Sequence, residues 1–418
     1  LQTSPVVANF TPAALMLSIF VKKKSRAFNK QTHSMKLHAI AGKSFSTSDF
    51  QVCAPINRRK MVNKPLITTV IGSFPKPSYL PIEDWFDGAR NDGGMNTERV
   101  TKEFTQYIEK KSDSDEHLFV RAAKDVINLQ IDAGIDIPTD GEVRRENYIH
   151  YHCRYLEGFD FKNLEHRVLR DGAYETNLPA VRNKIKHNGS SYSVHDFKSS
   201  QSVSSAPVKF TLPGPLTIMD TTADCFYDDR PKLNRDLAET VNKEILSLVN
   251  AGCKYIQVDE PLFARQVDDA SSFGMEGIER CFHGVPKDVT KIIHMCCGYP
   301  DHIDDEDYKK ADPESYHLLA KEVDELKIDQ VSIEDAHCQN NLELLEKFKK
   351  KSVIFGAIAI ASSRLESEEE IIDRINSALL HIDRERLVIA PDCGLGLLTP
   401  ELAELKLRVM CSAVKRVD

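Results

Sequence analysis

The sequence predicts an α/β fold of the TIM, or (β/α)₈, barrel class: a single domain with an insertion before the third strand. Three observations predict it. From Lys64 onward, eight short runs rich in Val and Ile alternate with stretches of helical spacing, the pattern of βα units around a parallel sheet. Most of the runs are apolar on both faces rather than strictly alternating, as strands covered on both sides are. Nearly every run ends in a polar residue beside a turn, and such barrels carry their chemistry at the carboxyl ends of the strands. A doubly wound open sheet shares the first two features, and periodicity alone does not separate the two.

In chain order, the first run is LITTVIGS (66–73). A helical segment follows from about Glu116 to Ala133, with Leu118, Ala122, Val126, Leu129 and Ala133 near helical spacing. It leads into DIPTDGE (136–142). Residues 160–207 are polar and lack a clear period. They read as an insertion before the third strand, with a hairpin turning at Asn188-Gly189, either covering the site or decorating the surface. VKFTLPG (208–214), YIQVDEP (255–261), KIIHMCC (291–297), QVSIEDA (330–336), VIFGAIAI (353–360) and LVIAPDC (387–393) complete the strands. Helical patterns cover about 232–251, 313–326, 342–350, 368–382 and 400–414.

Composition narrows the function. With 41% hydrophobic and 28% charged residues, the chain of 418 residues is of ordinary globular make-up. A net charge of −8 argues against a nucleic-acid partner. No apolar run approaches the roughly 20 residues of a membrane helix, so no membrane partner is expected. Ten cysteines spread over this length do not make a disulfide framework; they read as core filler or ligands in a reducing compartment. Residues 1–60 differ from the rest: Asp49 is their only acid, amid Lys22, Lys23, Lys24, Arg26 and further basic residues. They read as a disordered extension ahead of a barrel over 61–418. An organellar transit peptide is one reading. Translated upstream sequence is the other, with the start at Met35 or Met61. Location follows that choice: organellar in the first case, cytoplasmic in the second.

The strand ends carry Ser73, Asp140 and Glu142, Pro213-Gly214, Asp259 and Glu260, His294 and Cys296, Glu334, and Cys393. Only the seventh ends blandly, at Ile360-Ala361-Ser362-Ser363. His294, Cys296, Glu334 and Cys393 offer an imidazole, two thiols and a carboxylate, a tetrahedral zinc set. In His-x-Cys, residues i and i+2 share a face of the strand, so Met295 points the other way and Cys297 packs away from the metal. Two thiolates already donate charge to the cation, which suits activating a thiol rather than a water. Glu334, the weaker ligand, would give up its place. Taken singly, each residue has a plainer role: His294 in a structural hydrogen bond, Cys393 as a small buried residue, Glu334 in an ion pair. Their joint occurrence favours zinc. Glu142 and Asp259 suit a substrate ammonium, or pair with Arg144, Arg145 or Arg265. Ser73 offers a hydroxyl to a carboxylate, unless Gly72 and Pro75 mark only a tight turn. Together they describe a pocket for an amino acid bearing a thiol.

ITTVIGSFPKP, TDGEVRRENY, QVDEP, HMC, SIED and APDCGLG resemble the catalytic half of cobalamin-independent methionine synthase, in the family's order, from about Pro65 to the C-terminus. The resemblance implies a zinc barrel that methylates the sulfur of homocysteine. It gives His294, Cys296, Glu334 and Cys393 the zinc-ligand roles, and Ile71, Ser73, Glu142 and Asp259 the homocysteine-binding roles. The chain departs from the full-length synthase twice. That enzyme resembles two barrels in tandem, and only the second has room here. It also carries a histidine after the seventh strand, thought to protonate the leaving folate, where this chain has Ala361 or Ser362. The methyl donor is therefore left open between a methyl-folate and a methyl-corrinoid, the latter on a partner protein. Two other readings stand beside methyl transfer: zinc-dependent alkylation of another thiol, as in epoxyalkane–coenzyme M transferases, and a non-catalytic zinc-binding barrel. A metal-free barrel like the uroporphyrinogen decarboxylases leaves Cys296 and Cys393 unexplained.

Overall fold

Six parallel strands form the continuous part of the sheet: Lys209–Pro213, Tyr255–Asp259, Thr290–His294, Gln330–Ile333, Ser352–Gly356 and Leu387–Ala390. Each pairs with the next in sequence. Three parallel bridges supply the rest of the ring: Thr68 with Ile389, Thr69 with Ile137, and Thr139 with Lys209. The last strand thus reaches the first, the first reaches the second, and the second reaches the third. The sheet is a closed (β/α)₈ barrel, as the sequence predicts, and closure leaves no strand edge exposed. This computed structural model describes residues 66–86, 97–169, 174–298, 300, 302–305, 308 and 310–417. The transit-peptide and start-site readings concern residues 1–61, which lie outside the described residues.

Helices cover the outside of the ring, and their termini are encoded locally. In Arg230–Asn250, Asp229 caps the first turn by accepting from Lys232 N at 3.0 Å, and Pro231 sits in that turn, where its missing N–H is not needed. The helix buries Leu233, Leu237, Val241, Ile245 and Leu248, spaced three or four residues apart along one face. Ser367 and Glu370 form a capping box at the start of Glu368–Ala378, and Thr399 caps Pro400–Arg416. Among the described residues no helix is long and apolar enough to cross a membrane.

The insertion before the third strand is a hairpin of Leu156–Leu169 against Tyr174–His187, followed by the helix Tyr192–Ser202. Its reversal falls between Leu169 and Tyr174, not at Asn188-Gly189. Asn188 does form a turn, its side chain accepting from Ser190 N at 2.9 Å with Gly189 at φ +91°, but that turn links strand to helix. The hairpin escaped the sequence because register shifts at Glu157/Phe159 and Asp160/Glu165 interrupt the two-residue alternation.

One close approach holds the sixth, seventh and eighth strand ends together. A Cβ on Gly356 would stand 2.1 Å from Asp392 Oδ1 and 2.9 Å from its Cα. Asp392 is fully buried and accepts from Asp335 N, Ala336 N and His337 N at 2.9, 2.9 and 2.7 Å. Gly356→Ala should therefore destabilise the fold by about 2 kcal/mol through overpacking, read as a lower midpoint in urea unfolding. A variant as stable as the parent would show that Asp392 is free to move.

Candidate active site

His294 ends the fifth strand. Its Nδ1 lies 2.9 Å from Ser332 Oγ on the neighbouring strand, which fixes the ring. Its Nε2 then faces Cys393 Sγ at 3.2 Å. Two residues on, Cys296 places its sulfur 3.7 Å from that of Cys393. The three ligand atoms lie within 4.8 Å of one another, and all three residues are buried. Both thiols are free, since a disulfide needs about 2.05 Å. A tetrahedral zinc ion with bonds of about 2.3 Å to sulfur keeps two sulfur ligands about 3.8 Å apart, close to the separation found. The chemistry of the donors also fits. The Cys393 hydrogen bond, with burial, pushes the Cys296 thiol well above its ordinary pKa; two adjacent buried thiols ionise together only around a cation. These residues fit zinc.

Glu334, at the end of the sixth strand, stands outside this trio. Its carboxylate is engaged elsewhere, accepting from Cys297 N at 3.0 Å and from Lys310 Nζ at 2.7 Å. Cys297 is buried, and its sulfur is not part of the trio.

Glu142 lies at the end of the second strand with its backbone in the left-handed region, φ +56°. Such a conformation persists where the surroundings over-determine it. Here Glu142 N donates to Asp140 Oδ1 at 2.9 Å, and Lys76 Nζ donates to Glu142 O at 3.0 Å. The carboxylate accepts from Thr211 Oγ1 at 2.7 Å and from Arg145 Nη1 at 3.3 Å. One of the arginine pairings open in the sequence is therefore present. Arg144 instead pairs with Glu116, and Arg265 donates to Cys297 O and the Tyr308 hydroxyl. Asp259, at the end of the fourth strand, accepts from Gln257 Nε2 at 2.7 Å, and burial pushes its pKa up to about 6. The same Gln257 amide donates to Ile71 O at 2.9 Å.

A single cavity gathers these groups. Ile71, Ser73, Glu142, Asp259, His294, Cys296 and Cys393 all line it; Glu334 does not. Sequence reasoning missed its aromatic wall. Trp85 and Tyr148 line it with ring centroids 5.8 Å apart, and Leu178 brings in the inserted hairpin. Trp85 is the chain's only tryptophan, a signal that was available; Leu178 gave none. The bland seventh strand end also has an unforeseen neighbour. His337, from the loop after the sixth strand, accepts from Ala361 N on Nε2 at 3.0 Å, while its Nδ1 bonds Asp392 Oδ2 at 2.7 Å.

Residues 66–416 match the family of the cobalamin-independent synthase catalytic domain. The chain belongs to that family. A methionine synthase of Saccharolobus solfataricus is 31% identical over 361 residues, covering 85% of this chain and 96% of that protein. One of Sulfolobus acidocaldarius is 31% identical over 345 residues, covering 82% and 89%. A solved B12-independent methionine synthase from a Shewanella species, in complex with selenomethionine, superposes with a TM-score of 0.72 at 27% identity, covering 84% of this chain and 97% of that one. Membership makes this barrel a methyltransferase of the cobalamin-independent class.

The Thr211 hydroxyl is the shorter of the two side-chain bonds to the Glu142 carboxylate. Thr211→Val keeps the shape and leaves a buried oxygen short of a donor, which costs about 1–3 kcal/mol. Denaturant unfolding should show that loss; an unchanged midpoint would mean that Arg145 alone holds the carboxylate.

Proposed function

We propose that this chain transfers a methyl group to the thiol of homocysteine, giving methionine, with zinc held by His294, Cys296 and Cys393 and with Glu334 as an exchangeable fourth ligand. The observation that carries the reading is convergence. Three metal-type donors and four groups suited to an α-amino acid line one cavity, in a chain of the cobalamin-independent synthase family. Bound there, zinc would keep the substrate sulfur ionised and nucleophilic near neutral pH.

The chain's own residues do the rest. Asp259 and Glu142 hold the ammonium group. Ser73 takes the carboxylate, with Ile71 beside it. Trp85 and Tyr148 exclude water from the sulfur's path to the donor. A folate donor leaves through a nitrogen that must be protonated. The seventh strand offers only Ala361 and Ser362, and His337 has both ring nitrogens engaged. A methyl-corrinoid donor, whose cobalt departs without a proton, would need no such group.

Metal content tests the ligand assignment. Wild type should carry one zinc per chain by atomic emission, and His294→Ala and Cys393→Ser should fall well below it. Full stoichiometry in both variants defeats the assignment.

The Asp259 site should also be pH-dependent. Its carboxyl is raised to about 6, so at pH 5 mostly the neutral form is present and at pH 7 mostly the anion. An ammonium needs the anion, and the ionised fraction rises about tenfold across that interval. Methionine, whose own charges do not change there, should bind zinc-free protein about tenfold more tightly at pH 7 than at pH 5. Asp259→Asn should flatten the profile. A flat wild-type profile in calorimetry would remove Asp259 from the ammonium site.

A further inference from the structure

Lys310, which pairs with Glu334 beside the trio, has no part in the chemistry above. Glu334's side chain is 2% exposed and that of Lys310 19%. Lys310 Nζ takes one carboxylate oxygen at 2.7 Å, and Cys297 N takes the other at 3.0 Å. The carboxylate is thus docked one residue from Cys296 with both oxygens occupied. The lysine is brought there by the backbone: Ala311 N donates to Cys297 O at 3.0 Å, folding the chain after the fifth strand back onto that strand's end.

We propose that Lys310 is a positioning residue that competes with the metal for Glu334 and receives its carboxylate when the substrate sulfur takes the fourth place. This rests on the zinc reading above. Charge balance is the physical reason. Two thiolates and a neutral imidazole cancel a divalent cation. A fourth anionic ligand, carboxylate or substrate thiolate, leaves one excess negative charge; both together leave two, which a buried site tolerates poorly. As the substrate thiol binds it releases its proton to solvent, and the displaced carboxylate needs a cation at hand. Lys310 supplies one without carrying Glu334 into water. The 2.7 Å contact between Lys310 Nζ and Glu334 Oε1 gives the displaced carboxylate its place.

Two affinities test it: zinc, by competition with a chromophoric chelator, and homocysteine on the zinc-loaded protein, by calorimetry. In Lys310→Met the competitor is gone, so zinc should bind about tenfold more tightly and homocysteine about tenfold more weakly, the equivalent of one pKa unit of charge interaction. Lys310→Arg should behave as wild type. In a Glu334→Gln background, Lys310→Met should change neither affinity. A pair that merely staples a loop would, when broken, weaken both together. Joint weakening, or no change in either, overturns the proposal while leaving the zinc reading intact. A wild type that binds no zinc overturns both.

Discussion

Closure of the sheet is the constraint on which the site depends. In an open parallel sheet the fifth and eighth strands would lie three spacings apart, about 14 Å at about 4.8 Å per strand. The bridges at Thr68, Thr69 and Thr139 bend the sheet into a ring, so residues beyond the strand ends converge over its mouth. That is how His294 and Cys393, 99 positions apart in sequence, come within 3.2 Å. The two closing segments are short, and backbone bonds hold them: Thr69 N to Ile389 O and Ile389 N to Ile67 O, both 2.9 Å, and Lys209 N to Pro138 O, 2.8 Å.

Convergence to within hydrogen-bonding distance needs more than closure, because Cys296, Glu334 and Cys393 lie beyond the strand ends. Asp392 supplies the remaining order. Burial alone would raise its pKa, but His337 and the backbone N–H groups around it outweigh burial and hold it low. As an anion it gathers three successive N–H groups from the segment after Glu334, and its own N–H donates to Ile358 O at 3.1 Å. Asp335, next to Glu334, is clamped in turn by Arg374 at 2.6 and 2.8 Å. The rim is therefore rigid where Cys393 and Glu334 arise. On the proposed reading, exchange of Glu334 between partners would run by rotation of its side chain.

The sequence made legible what depends on side-chain type and strand period. All eight strands were readable, since runs such as LVIAPDC announce both a buried strand and the polar residue at its end. So was the cavity-lining character of Ser73, Glu142, Asp259, His294, Cys296 and Cys393; that of Ile71 came from the family resemblance alone. What was not legible depends on contacts between separate loops. Nothing in SIEDA says that Lys310 will meet Glu334 before a metal does. Nothing in IAIASS says that His337 will bond the backbone at Ala361. Asp392 went unremarked in the motif that supplied Cys393, because a carboxylate bonded to backbone looks in sequence like any other. The hairpin was misread for a local reason: bulges erase the alternation by which a strand is recognised.

The two carboxylates of the pocket differ in a way that bears on selectivity. Glu142 has a cation already, in Arg145. Asp259 has Gln257, a neutral donor, and Gln257 in turn accepts from Lys209, whose pKa burial lowers to about 7. Near neutral pH, Lys209 is thus only partly charged, and burial keeps the pKa of Asp259 raised in spite of it. On the proposed reading, a bound ammonium completes the Asp259 site. A thiol without an amine leaves the same carboxylate either protonated or buried and unpaired, at the cost that attends uncompensated charge. On the proposed reading, discrimination between homocysteine and simpler thiols resides in Asp259 rather than at the metal, which meets every thiolate alike.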